Sequence, residues 1–294
     1  MIIKNYKIKC FNIVMASAFL VGIFPSRAKA VETPFGYLYT AESIPKGHWE
    51  FEQWNTVRTG KAAGSYTALD LRNELEYSFT DRFQTALYIN SSYLRAKDVP
   101  DPDDATMNLE NQSSFDVNGV SIEFKYQVLS PYKSPLGLAL YMEPELGMRN
   151  ALAGTDTVER ALEFKLILQK NFLEDHLILA SNVEFEPEWE REDGRRSKEL
   201  KNEYILGAAY RFAPGWFGGI EGLNRRRFDD QDFAEQGSSA WFVGPAVHYA
   251  SQGWWTTLTL LPQIAGNPRS LGDGSRALGE YEKMEIRWRI GIDF

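Results

Sequence analysis

The carboxylates are the residues of this sequence best suited to chemistry, because in several segments they recur at every second position. The densest run places acids at alternate positions from Glu184 to Glu190, interleaved with Phe185, Pro187 and Trp189. Carboxylate oxygens suit hard divalent cations such as Ca²⁺, yet no histidine accompanies this run. A hydrated, charged strand end is the favoured interpretation. We therefore predict no metal site and no cofactor.

Histidine is the other residue type that could carry catalysis, and the chain has only three. His48 and His176 lie at the starts of predicted strands. His248 lies among the alternate, polar positions of another predicted strand, with no serine obviously beside it. No G-x-S-x-G motif accompanies them, although nucleophilic catalysis needs a nucleophile beside an oriented base. A lipid-modifying hydrolase is therefore the weakest of the functional hypotheses, and an enzyme is not favoured.

The elements that position these residues show a period of two. From Met284 to Ile292 apolar side chains occupy every second position and charged ones most of the positions between, a pattern typical of a strand with one oily and one polar face. No apolar run after Ala30 is long enough for a membrane-spanning helix. The alternation predicts twelve strands, at 47–58, 66–79, 82–95, 114–129, 136–149, 157–170, 175–189, 197–212, 215–227, 239–250, 253–264 and 281–294.

The fold class predicted is all-β: a transmembrane antiparallel β-barrel in up-and-down order. Short turns alternate with longer polar loops, among them 96–113, 190–196 and 265–280, as in outer-membrane barrels. A soluble barrel with its apolar face inside is the alternative. It is disfavoured because twelve strands enclose more space than one layer of aliphatic side chains fills, and because aromatic residues cluster near the strand ends.

If the apolar face of each strand meets lipid, the polar face lines the interior of the barrel and carries both positive and negative side chains. This lining serves either as a salt-bridged wall or as a pore surface, and the excess of acids would favour cations. The predicted lining residues are Asp70, Arg72, Glu74, Glu76, Glu123, Lys125, Glu143, Glu145, Glu163, Lys165, Glu184, Glu186, Arg211, Glu285, Arg287 and Arg289.

The first 30 residues have the three parts of a secretory signal peptide. Lysines precede an apolar stretch at 10–24, and Ala28-Lys29-Ala30 supplies a cleavage site near Ala30. The apolar stretch is too short for a membrane anchor. Cleavage would remove five bases and Cys10, changing the formal charge from −8 to −13 (27 bases against 40 acids) and disfavouring nucleic acid as a partner. The predicted division is signal peptide 1–30, periplasmic segment or plug 31–46, and barrel 47–294.

The end of the chain resembles the C-terminal signature of Gram-negative outer-membrane proteins, which their assembly machinery reads. Its residues are Trp288, Ile290, Ile292 and the final Phe294. The expected location is the outer membrane. The expected partners are its lipid, lipopolysaccharide and the barrel-assembly machinery.

Several short motifs carry a wider resemblance, across nearly the whole chain after residue 30, to an uncharacterised domain-of-unknown-function family of proteobacterial outer-membrane proteins. That resemblance implies the location and the barrel fold, and it supplies no activity or binding residues. The motifs are Phe35-Gly36-Tyr37, Tyr39-Thr40-Ala41-Glu42, Pro45-Lys46-Gly47, Trp49-Glu50, Glu52-Gln53-Trp54, Val128-Leu129-Ser130-Pro131-Tyr132, Glu143-Pro144-Glu145-Leu146-Gly147 and Gln169-Lys170-Asn171-Phe172-Leu173.

The favoured function is a narrow, porin-like passive channel for small polar or cationic solutes. The alternative is a structural barrel plugged by residues 31–46, which are long enough to fold into the periplasmic mouth.

Overall fold

A computed structural model describes residues 33–101, 107–149, 156–192, 195–229, 231, 233, 236–268 and 274–294. The predicted signal peptide and its cleavage site lie outside the described residues. Within them, no helical segment has the length and hydropathy needed to cross a membrane.

Twelve antiparallel strands follow one another around a closed barrel, and β1 pairs with β12 to complete it. The predicted fold class and strand number are therefore confirmed. Across the closure, Glu50 is opposite Asp293 and Thr59 is opposite Met284. The strands are β1 Trp49–Thr59, β2 Ser65–Thr80, β3 Phe83–Lys97, β4 Gln112–Leu129, β5 Gly137–Arg149, β6 Asp156–Phe172, β7 Leu177–Glu192, β8 Arg195–Ala213, β9 Trp216–Asp229, β10 Gln236–Ser251, β11 Trp254–Asn267 and β12 Met284–Asp293.

The two ends of the barrel differ in the length of their connections. One end, the turn rim, carries the start of β1, the end of β12 and short links such as 81–82, 214–215 and 252–253. The other end, the loop rim, carries longer links such as 60–64, 98–111 and 268–283. Gly215 and Gly253 in the tight turns adopt positive φ (76° each), a conformation that glycine adopts without strain.

The predicted loop at 190–196 is wrong, because β7 and β8 continue through most of it. Glu190 pairs with Ser197 and Arg191 with Arg196, leaving a two-residue connection at 193–194. The high density of charge suggested a loop. Charged side chains are nevertheless compatible with strands beyond the apolar band of a barrel, where both faces meet water.

Pro262 interrupts the predicted eleventh strand in sequence but not in the structure. It lies next to the β10–β11 register shift, which falls between the pairs Trp241–Ala265 and Phe242–Gln263. Proline cannot donate to a ladder and is found at such irregularities. Opposite it, a Cβ on Gly244 would lie 1.8 Å from the Leu260 carbonyl oxygen, so only glycine permits this close approach.

The outer face of the barrel is apolar, with large side chains such as Leu87, Leu140 and Ile220 about half exposed. At the turn rim, Trp49, Tyr77, Phe79 and Phe83 form a run of ring contacts with centroids 4.5–6.0 Å apart. Such aromatic bands mark the interface between membrane and water in transmembrane barrels. A second run at the same rim consists of Phe212, Trp216, Tyr249 and Trp254.

Candidate functional site: the barrel interior

Residues 33–46, which we call the inner segment, run along the inside of the barrel and end at the turn rim, where Lys46 is exposed. Phe35, Leu38 and Ala41 in this segment have no exposed surface. Phe35 and Leu38 pack with Ile205 and Phe242 of the wall. Inward-facing apolar side chains of β7 to β11 thus pack against one side of the inner segment.

Glu221 on β9 is the principal anchor of the inner segment. Its carboxylate accepts hydrogen bonds from the backbone N–H groups of Gly36 (2.7 Å), Tyr37 (2.8 Å) and Leu38 (3.2 Å). The Thr259 hydroxyl donates a further bond of 2.8 Å to the same side chain. A fully buried carboxylate is stable only when its oxygens are satisfied, and here backbone donors of the inner segment satisfy them.

Side-chain amides of the barrel wall hold the part of the inner segment that lies nearer the turn rim. The Asn182 side chain accepts from the Tyr39 N–H (2.7 Å) and donates to the Tyr39 carbonyl (3.0 Å). Ala41 is held likewise, since its N–H donates to Gln169 (2.8 Å) and its carbonyl accepts from Gln127 (2.9 Å). These amides supply the donors and acceptors that a neighbouring strand would otherwise provide.

Arginine side chains stack on aromatic rings between the wall and the inner segment. The Arg287 guanidinium lies 3.7 Å from the ring centroid of Tyr37 in the segment. Arg289 lies 3.9 Å from the ring of Trp54 and donates to Glu52 (2.5 Å). These planar cations contact both an aromatic face and a carboxylate or carbonyl, a combination that lysine does not reproduce.

Ion pairs occupy much of the remaining interior. Arg72 on β2 donates to Glu143 on β5, so this pair joins strands that are not neighbours. Arg225 binds Glu203 (2.5 Å) and also Glu285 on β12. The remaining wall pairs include Lys165 with Glu163 and Glu184, Lys201 with Glu186 and Glu188, and Arg58 with Asp70.

The link between β11 and β12 folds over the loop rim. The Lys61 ammonium donates to the carbonyls of Gly279 (3.2 Å) and Glu280 (2.8 Å). Glu282 pairs with Arg58 (2.8 Å) and with Lys61 (3.3 Å). Burial raises the pKa of the Glu282 carboxyl, but these two cations outweigh it and hold that pKa below its usual value. Glu282 is therefore ionised at neutral pH and ties the link to β1.

The structure places the charged residues predicted for the lining on the inward face of the barrel. It brings most of them into ion pairs or contacts with the inner segment. Arg211 lies apart at the turn rim, where its guanidinium is within hydrogen-bond distance of the Glu174 carbonyl (3.4 Å). The proposed assembly signal stays a prediction. Its final residue, Phe294, pairs with Trp49 through two backbone hydrogen bonds. The Phe294 N–H donates to the Trp49 carbonyl (3.0 Å), and the Trp49 N–H donates to the Phe294 carbonyl (3.1 Å).

The sequence did not reveal which inward residues hold the inner segment. Gln84, Gln127, Gln169 and Asn182 appear in the sequence only as the polar members of alternating strands. The signal that distinguishes them is their position. Each is an inward-facing amide within about six residues of the turn rim, where a plug entering from that end would meet it.

Five glutamates form an acidic cluster between the inner segment and strands β1 to β4. Two cross-strand pairs, Glu50–Glu76 and Glu52–Glu74, place carboxylates directly opposite one another. Glu123 joins them, since the Tyr88 hydroxyl lies 2.5 Å from one of its oxygens and 2.8 Å from Glu74. A cavity of about 30 Å³ lies at this cluster.

The one buried histidine does not make a hydrolytic site. The His248 Nδ1 lies 2.7 Å from the Thr257 hydroxyl, a distance that resembles a base beside a nucleophile. Both side chains are almost completely buried, and the rings of Phe217 and Trp255 lie against the imidazole. No lipid substrate reaches the Thr257 hydroxyl in this conformation.

A sequence profile of a family of unknown function, DUF6662, matches residues 27–294. The chain belongs to the DUF6662 family. The resemblance seen in the sequence to an uncharacterised family of outer-membrane barrels is thereby confirmed. None of the curated proteins matches this DUF6662 chain.

Solved structures that match this chain have low sequence identity to it. An outer membrane channel from Pseudomonas putida F1 is 12% identical with a TM-score of 0.57, and the match covers 90% of this chain and all of that one. LpxR from Salmonella typhimurium is 9% identical with a TM-score of 0.44, covering 83% and 99%. A KdgM porin is 13% identical with a TM-score of 0.39, covering 84% and 98%. The first of these shows that the DUF6662 barrel resembles that of an outer membrane channel.

Proposed function

We propose that this DUF6662 protein resides in the outer membrane as a barrel that its own inner segment keeps closed. The exposed apolar outer face and the aromatic runs at the turn rim support a membrane location, with the turn rim on the periplasmic side. Lipid and lipopolysaccharide would cover the outer face. The barrel-assembly machinery would read the C-terminal residues.

The observation that carries the closed state is the burial of the inner segment against the wall. Phe35, Leu38 and Ala41 are fully buried, and Glu143 and Glu221 on the wall are buried as completely. Water-filled porin lumens leave their lining side chains hydrated, whereas these side chains are buried against other protein atoms. The geometry thus favours the plugged barrel over a constitutively open channel.

Planar-bilayer recording of the purified protein tests this proposal. We expect the chain that retains residues 33–46 to give no discrete conductance steps. Discrete steps from this chain, at the frequency of a porin control, would overturn the proposal. The Glu203→Gln chain is a control for the loss of one interior charge and should also give no discrete steps. Glu203 faces the interior but pairs with Arg225 on the neighbouring strand.

A second candidate is a gated passage for small polar or cationic solutes. It is supported by the way the inner segment is held, since residues 33–46 form no strand with the wall and rely on side-chain hydrogen bonds. A segment held in this way can leave without breaking the sheet. Recordings of a chain that begins at residue 47 separate the two candidates: conductance favours the gated passage, and silence favours the structural barrel.

A further inference from the structure

The acidic cluster defined above carries an excess of negative charge that its protein neighbours do not balance. The five glutamates of the cluster and Glu42 of the inner segment line the cavity, which makes six carboxylates against two cations, Lys125 and Arg289. Arg289 already pairs with Glu52, and nearby Arg72 pairs with Glu143. If all six acids were ionised, the lining would hold a formal charge of −4. Like charges opposite one another in a sheet are unfavourable without a counterion.

Several carboxylate oxygens of this cluster have no hydrogen-bond partner although they are buried. They are one oxygen each of Glu74, Glu76 and Glu123, and all three side chains are at least nine-tenths buried. Tyr88 lies between Glu74 and Glu123, and its hydroxyl has one proton to donate. At least one of these two carboxylates therefore lacks that donor. Buried oxygens left in this state need a proton or a cation.

We propose that this cluster binds one divalent cation of the Ca²⁺ type, with Glu50, Glu52 and Glu76 as its carboxylate ligands. One oxygen from each of these residues lies within 4.8 Å of the others. Oxygens that bind one Ca²⁺ ion at about 2.4 Å each are at most about 4.8 Å apart, and three carboxylates suit Ca²⁺ better than Mg²⁺, which usually keeps several waters and takes one or two carboxylates. The cavity of about 30 Å³ has room for one ion or water molecule at this point.

The other acid groupings of the interior have counterions of their own. The group of Glu163, Glu184 and Glu186 surrounds Lys165, which binds Glu163 and lies 3.2 Å from Glu184. In the group of Glu143, Glu145 and Glu163, Arg72 pairs with Glu143 and Lys165 pairs with Glu163. Among the described residues, only the proposed ligand set combines close carboxylates, an unpartnered buried oxygen (on Glu76) and a cavity.

Titration of the full chain with Ca²⁺ tests the site. The protein is refolded from inclusion bodies into detergent, because lipopolysaccharide itself binds Ca²⁺, and it is stripped with a chelator. Calorimetry should show one Ca²⁺ per chain. Tb³⁺ should give luminescence sensitised by tryptophan and displaced by Ca²⁺, because the indole N–H groups of Trp54 and Trp255 donate to Glu52 and Glu50.

Two variants separate this site from other interior carboxylates. Glu76→Gln should weaken Ca²⁺ binding by about tenfold or more, since the charge of the ligand set governs affinity. Glu203→Gln should bind Ca²⁺ as the parent does, because its carboxylate pairs with Arg225. Absence of saturable binding in the parent at neutral pH would show that protons alone satisfy the cluster and would overturn the proposal. Unchanged binding in Glu76→Gln would overturn it too, and Glu50→Gln replaces that variant if it does not fold.

Discussion

Replacement of Glu221 by alanine should release the inner segment while leaving the barrel closed as a sheet. The carboxylate accepts from three successive backbone N–H groups of the segment and from one wall hydroxyl. Glu221→Ala removes all four bonds at once. The ladders from β9 to β8 and β10 involve only backbone atoms and remain intact.

The size of the effect follows from the three backbone donors. A buried donor left without a partner costs about 1–3 kcal/mol, and bonds to an ionised acceptor lie at the upper end. Water that enters the space left by the carboxylate offsets part of this loss. A net cost of about 3–5 kcal/mol to the seated segment raises its opening equilibrium by about a hundredfold to a few thousandfold.

A buried thiol in the inner segment reports this opening. Ser43→Cys is suitable because the two side chains have nearly the same shape and the Ser43 hydroxyl is buried without a hydrogen-bond partner. The chain from residue 31 lacks Cys10, so this thiol is then unique. Its maleimide reaction rate follows the open population when closing is faster than labelling. We expect slow labelling in the parent and a rate increase of about a hundredfold or more in Glu221→Ala.

The control for this experiment is Glu199→Ala on β8. It removes an inward-facing acid near the loop rim, which pairs with Arg227 and not with the inner segment. Labelling in this chain should match the parent. Equal labelling in the parent and in Glu221→Ala, with both barrels folded by heat-modifiable gel mobility, would refute the assignment of Glu221 as the anchor.

Three further predictions concern other contacts of the interior. Gly36→Ala should unseat the inner segment and speed labelling at position 43, because the new Cβ would lie 2.5 Å from the Thr259 hydroxyl. Arg72→Met should lower the free energy of unfolding in urea by about 3–5 kcal/mol, since it leaves Glu143 buried and unpaired, and a second change, Glu143→Gln, should restore part of the loss. The Glu282 contact should stabilise the link over the loop rim at pH values above its unfolded-state pKa of about 4.3, and proteolysis of residues 274–283 should increase as the pH falls through its lower folded-state pKa.

The fold follows from the sequence because its determinants are local. The alternation from Met284 to Ile292 specifies which face of β12 is apolar, and neighbouring strands repeat the pattern. The same reasoning places acids such as Glu143 and Glu285 on the inward face. It failed at 190–196 because charge density was taken as a sign of a loop, while pairing between β7 and β8 extends the strands.

The closed interior does not follow from local pattern. The bonds from Glu221 to the inner segment join residues 183–185 positions apart, and alternation says only that this glutamate faces inward. The Glu50–Glu76 pair depends likewise on the β1–β2 register, which the connection at 60–64 sets. Sequence reasoning allowed a plug at 31–46 as an alternative. The structure places residues 33–44 of that stretch against the inner wall of the barrel.

Hydrogen exchange of the inner segment in the detergent-solubilised protein tests the closed barrel most directly. The N–H groups of Gly36, Tyr37, Leu38 and Ala41 donate to wall side chains and are buried. Their peptide should therefore exchange as slowly as the neighbouring strands, and Glu221→Ala should accelerate it. Exchange of this peptide in the parent at the rate of an unprotected chain would contradict a barrel closed by residues 33–46.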